Sequence, residues 1–243
     1  KWWAQHHSDM WNDDAVYDRI LVTTPVNPNP PSPLGINPNI DPNESRDLVI
    51  GSFSKDAIFY AYDRSDGEFL YARPTAYQNI IAGYDGTTGA YEIEPEAIMT
   101  ADIEHEATIC RENRQIPQGA YSPLTNAYYV PAFNGPCSVM KLNSLEPSLD
   151  TGYNTSYIAT VPTPAGHLGQ PEAINVSTGE SLWRLERETP LYGMLTTGGG
   201  LLFAADTNRR FHAVDQWTGK TLWTTILNGA SDMAPISYAV NGK

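Results

Sequence analysis

A pattern eleven residues long recurs along the chain and limits its fold more than any other feature. Ala61–Tyr71 reads AYDRSDGEFLY, Ala173–Trp183 reads AINVSTGESLW, and Ala213–Trp223 reads AVDQWTGKTLW. The rule is Ala, any residue, Asp or Asn, three of any kind, Gly, three of any kind, then an aromatic. A weaker copy, GYDGTTG, spans Gly83–Gly89. Asp or Asn opens a turn by accepting hydrogen bonds from backbone amides ahead of it. Gly closes the turn at a positive φ. The apolar residues on either side belong to two paired strands, and the terminal aromatic offers a flat face to a neighbouring sheet.

The last two full copies, measured from Gly179 to Gly219, are 40 residues apart. That spacing suits one four-stranded propeller blade per repeat. Unrelated hairpins sharing turn chemistry are the alternative, and three copies with the same offsets argue against it. Further strand-like runs are Ile20–Val22, Leu48–Ile50, Ala57–Tyr60, Ala127–Val130 and Leu201–Ala204. The Pro/Asn-rich stretch 27–43 and the segment 143–166 read as surface loops within one repeat domain, not as linkers.

Composition supports a globular all-β domain: 41% hydrophobic, 11% aromatic, with Gly and Pro at 19 each. The formal charge of −13 disfavours nucleic acid and anionic membrane surfaces as partners. No apolar run approaches the ~18 residues of a membrane-spanning helix. The chain opens on Lys1-Trp2-Trp3-Ala4 and closes on Ala239-Val240-Asn241-Gly242-Lys243, which reads as a strand entering a turn. Both ends read as cut from a longer chain. Cys110 and Cys137 are ambiguous between free thiols and one bridge.

The repeat resembles the tryptophan-docking motif of the PQQ-dependent (quinoprotein) alcohol and methanol dehydrogenases. Other segments fit that family in order: Gln5–Val22 (QHHSDMWNDDAVYDRILV), Ser54–Tyr60 followed by Asp63-Arg64, Gln118–Pro123 with Tyr128–Pro131, Thr197–Asp206, and Arg210–Asp215. The resemblance implies part of an eight-bladed β-propeller, about four blades from its C-terminal half. It implies pyrroloquinoline quinone (PQQ) and Ca²⁺ or a lanthanide ion as cofactors, a small alcohol as substrate and a cytochrome c-type electron acceptor. The remaining blades, with a Glu and an Asn for the metal, would lie outside this chain. Cys110 and Cys137 match the family's disulfide, which implies an oxidising compartment, periplasmic or extracellular.

The chemistry needs a carboxylate to take the alcohol proton, a Lewis acid on the quinone oxygen and groups that orient the ring. The family's base follows a Trp in a pattern like Asp-x-Trp-Asp-x-Asp. Here the row is Asp9-Met10-Trp11-Asn12-Asp13-Asp14, which places Asn12 at the base position. An amide accepts no proton at neutral pH. Three readings stay open: Asp13 or Asp14 is the base, Asn12 ligates the metal while another group is the base, or the site is inactive. Asp14 stands where lanthanide-using relatives carry an extra carboxylate ligand, although a turn-capping Asp is the plainer reading.

Lys55 matches the cation beside the quinone oxygens, and a solvated turn lysine is the alternative. Gln115 and Ile116 fall where relatives carry Asn-Trp at the ring, and Gly193 falls in the late-blade turn near the cofactor. His6, His7, His105, His167 and His212 form no zinc pattern. Two other functions compete. One is a non-catalytic propeller scaffold, favoured by Asn12. The other is a sugar- or polymer-binding surface, whose aromatics are better explained by blade packing.

Overall fold

The computed structural model describes residues 11, 15, 17–99, 105–111, 117–144, 155–231 and 233–240. Apart from one short 3₁₀ turn, Pro95–Ala97, every regular element among them is a β-strand. Three antiparallel sheets have the up-and-down order of propeller blades. The first blade consists of Ile20–Pro25, Ser45–Gly51, Ile58–Asp63 and Phe69–Pro74. The second consists of Ala120–Ser122, Ala127–Phe133, Gly169–Asn175 and Ser181–Arg184. The third consists of Leu191–Thr196, Leu201–Asp206, Arg210–Asp215 and Thr221–Ile226.

Each full repeat forms the turn between the third and fourth strands of its blade. Asp63 Oδ1 accepts from Ser65 N at 2.8 Å, Asn175 Oδ1 from Ser177 N at 3.0 Å, and Asp215 Oδ1 from Trp217 N at 3.0 Å. The glycines of these turns, Gly67, Gly179 and Gly219, have φ of 78°, 72° and 71°. The aromatic of one repeat then docks on the glycine of the next. A Cβ at Gly179 would stand 2.9 Å from the Tyr71 ring, and one at Gly219 would stand 2.7 Å from Trp183. Tyr71 OH donates to Val176 O at 2.7 Å, and Trp183 Nε1 donates to Gln216 O at 2.9 Å. Both acceptors hold the fourth position of the pattern. Trp223 is 52% exposed, and Gly67 has no such ring against it among the described residues.

Packing follows from strand alternation. Ile58–Asp63 is buried throughout: Ile58, Tyr60 and Tyr62 face one cluster, and Phe59 and Ala61 face another. The second of these clusters adds Leu70, Tyr128, Val130 and Ile174 and fills the seam between the first and second blades. Tyr129, Ala173, Trp183, Leu202 and Val214 fill the next seam. Each seam also holds a buried polar group. In the first, Arg73 reaches Glu172 at 2.8 Å. In the second, His212 and Arg187 meet Asp206 at 3.2 and 3.5 Å. On the far face of the first blade, Tyr60 OH donates to Asp56 at 2.5 Å.

Both segments expected to be loops contain strands. Within 27–43, Gly35–Ile36 pairs as a fifth strand with Phe69–Pro74. The same segment straps the second blade: Asn27 N and Asn29 N donate to Ser177 O and Thr178 O, at 2.8 and 2.7 Å. Within 143–166, Thr155–Val161 pairs with Cys137–Leu142, which also pairs with Ala107–Ile109. The Cys110–Cys137 disulfide closes this small sheet across 27 residues, a loop for which chain entropy gives about 3–4 kcal/mol. The weak repeat copy makes the same turn, with Asp85 accepting from Thr87 and Thr88, but builds only the ribbon Ile81–Tyr84 with Tyr91–Ile93.

Several carboxylates depend on these bonds. Asp215 is held below its ordinary value chiefly by the Thr218 hydroxyl, and Asp85 chiefly by the Thr88 amide. Burial pushes Asp206 up, but the Arg210 and Asn208 amides and His212 together hold it down. A depressed folded value means the unfolded chain takes protons more readily. Stability from these groups is therefore complete above the ordinary carboxylate value, about 3.9, and is lost as pH falls through their folded values. Thermal melts should show a steep drop below about pH 4. Asp215→Asn, the residue the second blade already uses at this position, should make that drop shallower.

Candidate functional site

The loops that join second to third strands and those that lead into first strands meet at one end of the three blades. The loop Ser52–Ala57 of the first blade is buried throughout. Its conformation is set by Asp56, whose Oδ1 accepts from Ile58 N at 3.0 Å while Oδ2 takes the Tyr60 hydroxyl, and by Ala57 at φ 60°. Tyr60 OH in turn lies 2.7 Å from Tyr84 OH, and burial, with Asp56 beside it, pushes the phenol well above its ordinary range. Lys55 sits in this loop at 5% exposure. A buried ammonium is costly unless charge or polar groups surround it, so a merely solvated turn lysine does not describe it. Next to it, Ser54 Oγ is buried with no hydrogen-bond partner among the described residues.

A chain of contacts joins this loop to the other two blades. Tyr17 N donates to Phe53 O at 3.4 Å. Asp18 Oδ1 accepts from Gly119 N at 3.0 Å, bridging 101 residues of sequence. Tyr128 OH stands beneath both: it accepts from Ser52 N at 3.5 Å, and a Cβ at Gly119 would lie 2.3 Å from it. Gln118 O accepts from Met194 N at 3.0 Å, which carries the connection to Gly193. Trp11 is buried in the cluster that contains Phe53, with its indole donating to Ala97 O at 2.9 Å.

Lys55 and Gly193 therefore lie at the same end of the blades. Gly193 sits at a bulge with φ 53°, and a Cβ there would strike Ala234 N at 2.2 Å, so its backbone carries the segment 233–234. Asn12, Asp13, Asp14, Gln115 and Ile116 lie outside the described residues. Asp18, Ser54 and Tyr128 escaped the sequence reading. Asp18 lies inside the quoted segment Gln5–Val22, but its partner Gly119 is visible only in space. Ser54 precedes Lys55 and carried no signal of its own.

Lys55 brings a buried cation and Ser54 a buried hydroxyl without a partner among the described residues, the donor types that an anionic, oxygen-rich ring such as PQQ needs. For the metal, the described residues contain no group of three or more His, Cys, Asp or Glu side chains able to hold an ion.

Comparison with known proteins agrees with the propeller-blade fold. Residues 161–243 match the PQQ family model described as "Glucose/ethanol/alcohol dehydrogenase, beta-propeller domain". The dehydrogenase subunit of the quinone alcohol dehydrogenase of Acetobacter aceti is 28% identical over 97% of this chain, which covers 31% of that protein. The 1-butanol dehydrogenase (cytochrome c) of Thauera butanivorans is 26% identical over 99% of this chain and 34% of its own length. The crystal structure of the quinohemoprotein alcohol dehydrogenase of Comamonas testosteroni superposes with a TM-score of 0.79 at 21% identity, over the whole chain and 35% of that one. A europium-containing methanol dehydrogenase gives 0.76 at 22% identity, over 94% and 38%. The chain thus spans about a third of the length of these relatives.

Proposed function

We propose that this chain, a relative of the quinoprotein alcohol dehydrogenases, forms part of the cofactor-binding end of an enzyme that oxidises an alcohol with PQQ and a bound Ca²⁺ or lanthanide ion. The observation that supports this reading best is the meeting of the Lys55 loop, the Asp18–Gly119 bond and the Gln118–Met194 bond at one end of three docked blades. Trp223 and Gly67 would be the docking seats for the remaining blades, by the rule that Tyr71 and Trp183 follow. Electrons would leave to a cytochrome c-type acceptor. The compartment would be oxidising, periplasmic or extracellular, in keeping with the disulfide.

The bound quinone supplies the electron-accepting chemistry, sharpened by the metal as Lewis acid. This chain would supply the surroundings. Lys55 would stabilise negative charge on the ring oxygens from a site nearly closed to water, where such a charge acts strongly. Ser54 Oγ would donate a hydrogen bond to the same edge. Asp18 would hold the entry to the first blade against Gly119, and so fix where residues 12–14 are delivered. Gln115 and Ile116 would edge and cover the ring, and Gly193 would let the segment 233–234 close on the site. Asn12 and Asp14 would face the ion, leaving Asp13 or Asp14 to accept the alcohol proton.

The second reading is a propeller scaffold without catalysis, and Asn12 at the base position favours it. The two are separated by reconstituting the full-length protein with PQQ and either Ca²⁺ or a lanthanide, then following dye reduction with primary alcohols. Alcohol-dependent reduction that is abolished by the double substitution Asp13→Asn and Asp14→Asn is the expected result. Cofactor binding without turnover would leave the scaffold reading standing.

A further inference from the structure

A cavity of about 400 Å³ opens between the first and second blades, where Thr75 N donates to Ala57 O at 2.7 Å at the foot of the Lys55 loop. Its walls are apolar, formed by Pro31, Pro74, Pro164 and Ala76. Rigid proline rings resist collapse into the space, and the size lies within the range of small-molecule sites. Arg184, Thr75, Tyr77 and His167 add polar groups to this lining.

Two of these groups have unspent hydrogen-bonding capacity. Thr75 is 1% exposed, yet its Oγ1 has no partner among the described residues. A buried hydroxyl without a partner is uncommon and costly. Arg184 uses only Nη2, which donates to both Glu172 oxygens at 3.1 Å, and its Nε and Nη1 make no hydrogen bond among the described residues. Glu172 is already bound by Arg73 and by the Ser181 hydroxyl. Two guanidinium groups thus share one carboxylate, with a second carboxylate, Glu186, 4.0 Å from His167, and Arg184 keeps Nε and Nη1 for a ligand. His167 is engaged with Gln170 at 2.9 Å, and Gln170 Nε2 is spent on Thr75 O.

We propose that this cavity binds a small organic carboxylate: its anionic head takes hydrogen bonds from Arg184 and Thr75, and its apolar tail lies along the proline walls. A bare inorganic anion would leave those walls uncovered, and an amine would find only donors in the Arg184 guanidinium. The proposal is argued from Arg184, Thr75 and the proline walls and does not depend on the quinone assignment.

The test is titration of the full-length protein with butyrate, followed by calorimetry and by the shift in melting temperature, with butylamine and chloride as controls. Saturable butyrate binding is expected, with neither control producing it at equal concentration. Thr75→Val keeps the side-chain shape and should leave the ligand-free melting temperature unchanged or raised, while weakening butyrate about fivefold. Arg184→Gln should weaken it about tenfold or more. The proposal is overturned by absence of butyrate binding, by butylamine or chloride binding equally well, or by butyrate affinity that neither substitution changes. Since no quinone is added, failure here leaves the reading of the Lys55 end untouched.

Discussion

Glu172→Ala should destabilise the protein by about 3–5 kcal/mol, read as a lowered urea midpoint with an unchanged slope. Glu172 is 0% exposed and receives Arg73 at 2.8 Å, Arg184 at 3.1 Å and the Ser181 hydroxyl. Arg184 is partly exposed and can turn to water when the carboxylate is removed. Arg73 cannot. It is buried between the blades, bonded to Gly179 O at 3.1 Å and to Pro74 O, and burial already pulls its guanidinium below its ordinary value against the support of Glu172. Removing the carboxylate leaves that charge uncompensated. Adding Arg73→Met to Glu172→Ala should recover much of the loss, because both charges then leave the seam together. If Glu172→Ala costs no more than an ordinary surface substitution, the two blades are not locked as described.

Trp183→Ala should cost about 3–5 kcal/mol, the range for removing a large buried aromatic. The indole is 8% exposed, lies on Gly219, packs 5.8 Å from the Tyr129 ring and donates to Gln216 O. Trp183→Phe should cost much less, because Tyr129 OH also donates to Gln216 O at 3.0 Å and keeps that carbonyl satisfied. Gly219→Val should approach the cost of the alanine variant by the opposite route. It would push a side chain into the indole and force a β-branched residue to φ 71°. Chemical denaturation of the three variants orders these effects.

The repeat was legible in the sequence because all its parts are local. An Asp or Asn, a Gly four positions later and an aromatic four beyond that specify one turn and one docking face without help from the rest of the chain. The weak copy shows where this limit lies. Gly83–Gly89 has the turn chemistry, but Ile93 stands where the aromatic belongs, and the turn closes a separate ribbon instead of a blade. Thr155–Val161 lies inside the segment read as a surface loop, and the structure leaves its residues partly or fully exposed. It is a strand only through its pairing with Cys137–Leu142.

Lys55 was singled out through its flanking pattern, and the structure buries it in the Ser52–Ala57 loop. Asp18 and Tyr128 lay inside quoted segments but were not singled out there, and Glu172 lay in none. Each acts on a partner at least 76 residues away, and one sequence read along its length carries no mark of such pairings.

The most direct test of the central claim is equilibrium titration of the full-length protein with PQQ, followed by quinone absorbance. Saturable binding is expected, weakened about tenfold or more by Lys55→Gln in a variant that retains the parent's melting temperature. A protein that takes up no PQQ, or that takes it up equally well without the lysine, would contradict the account.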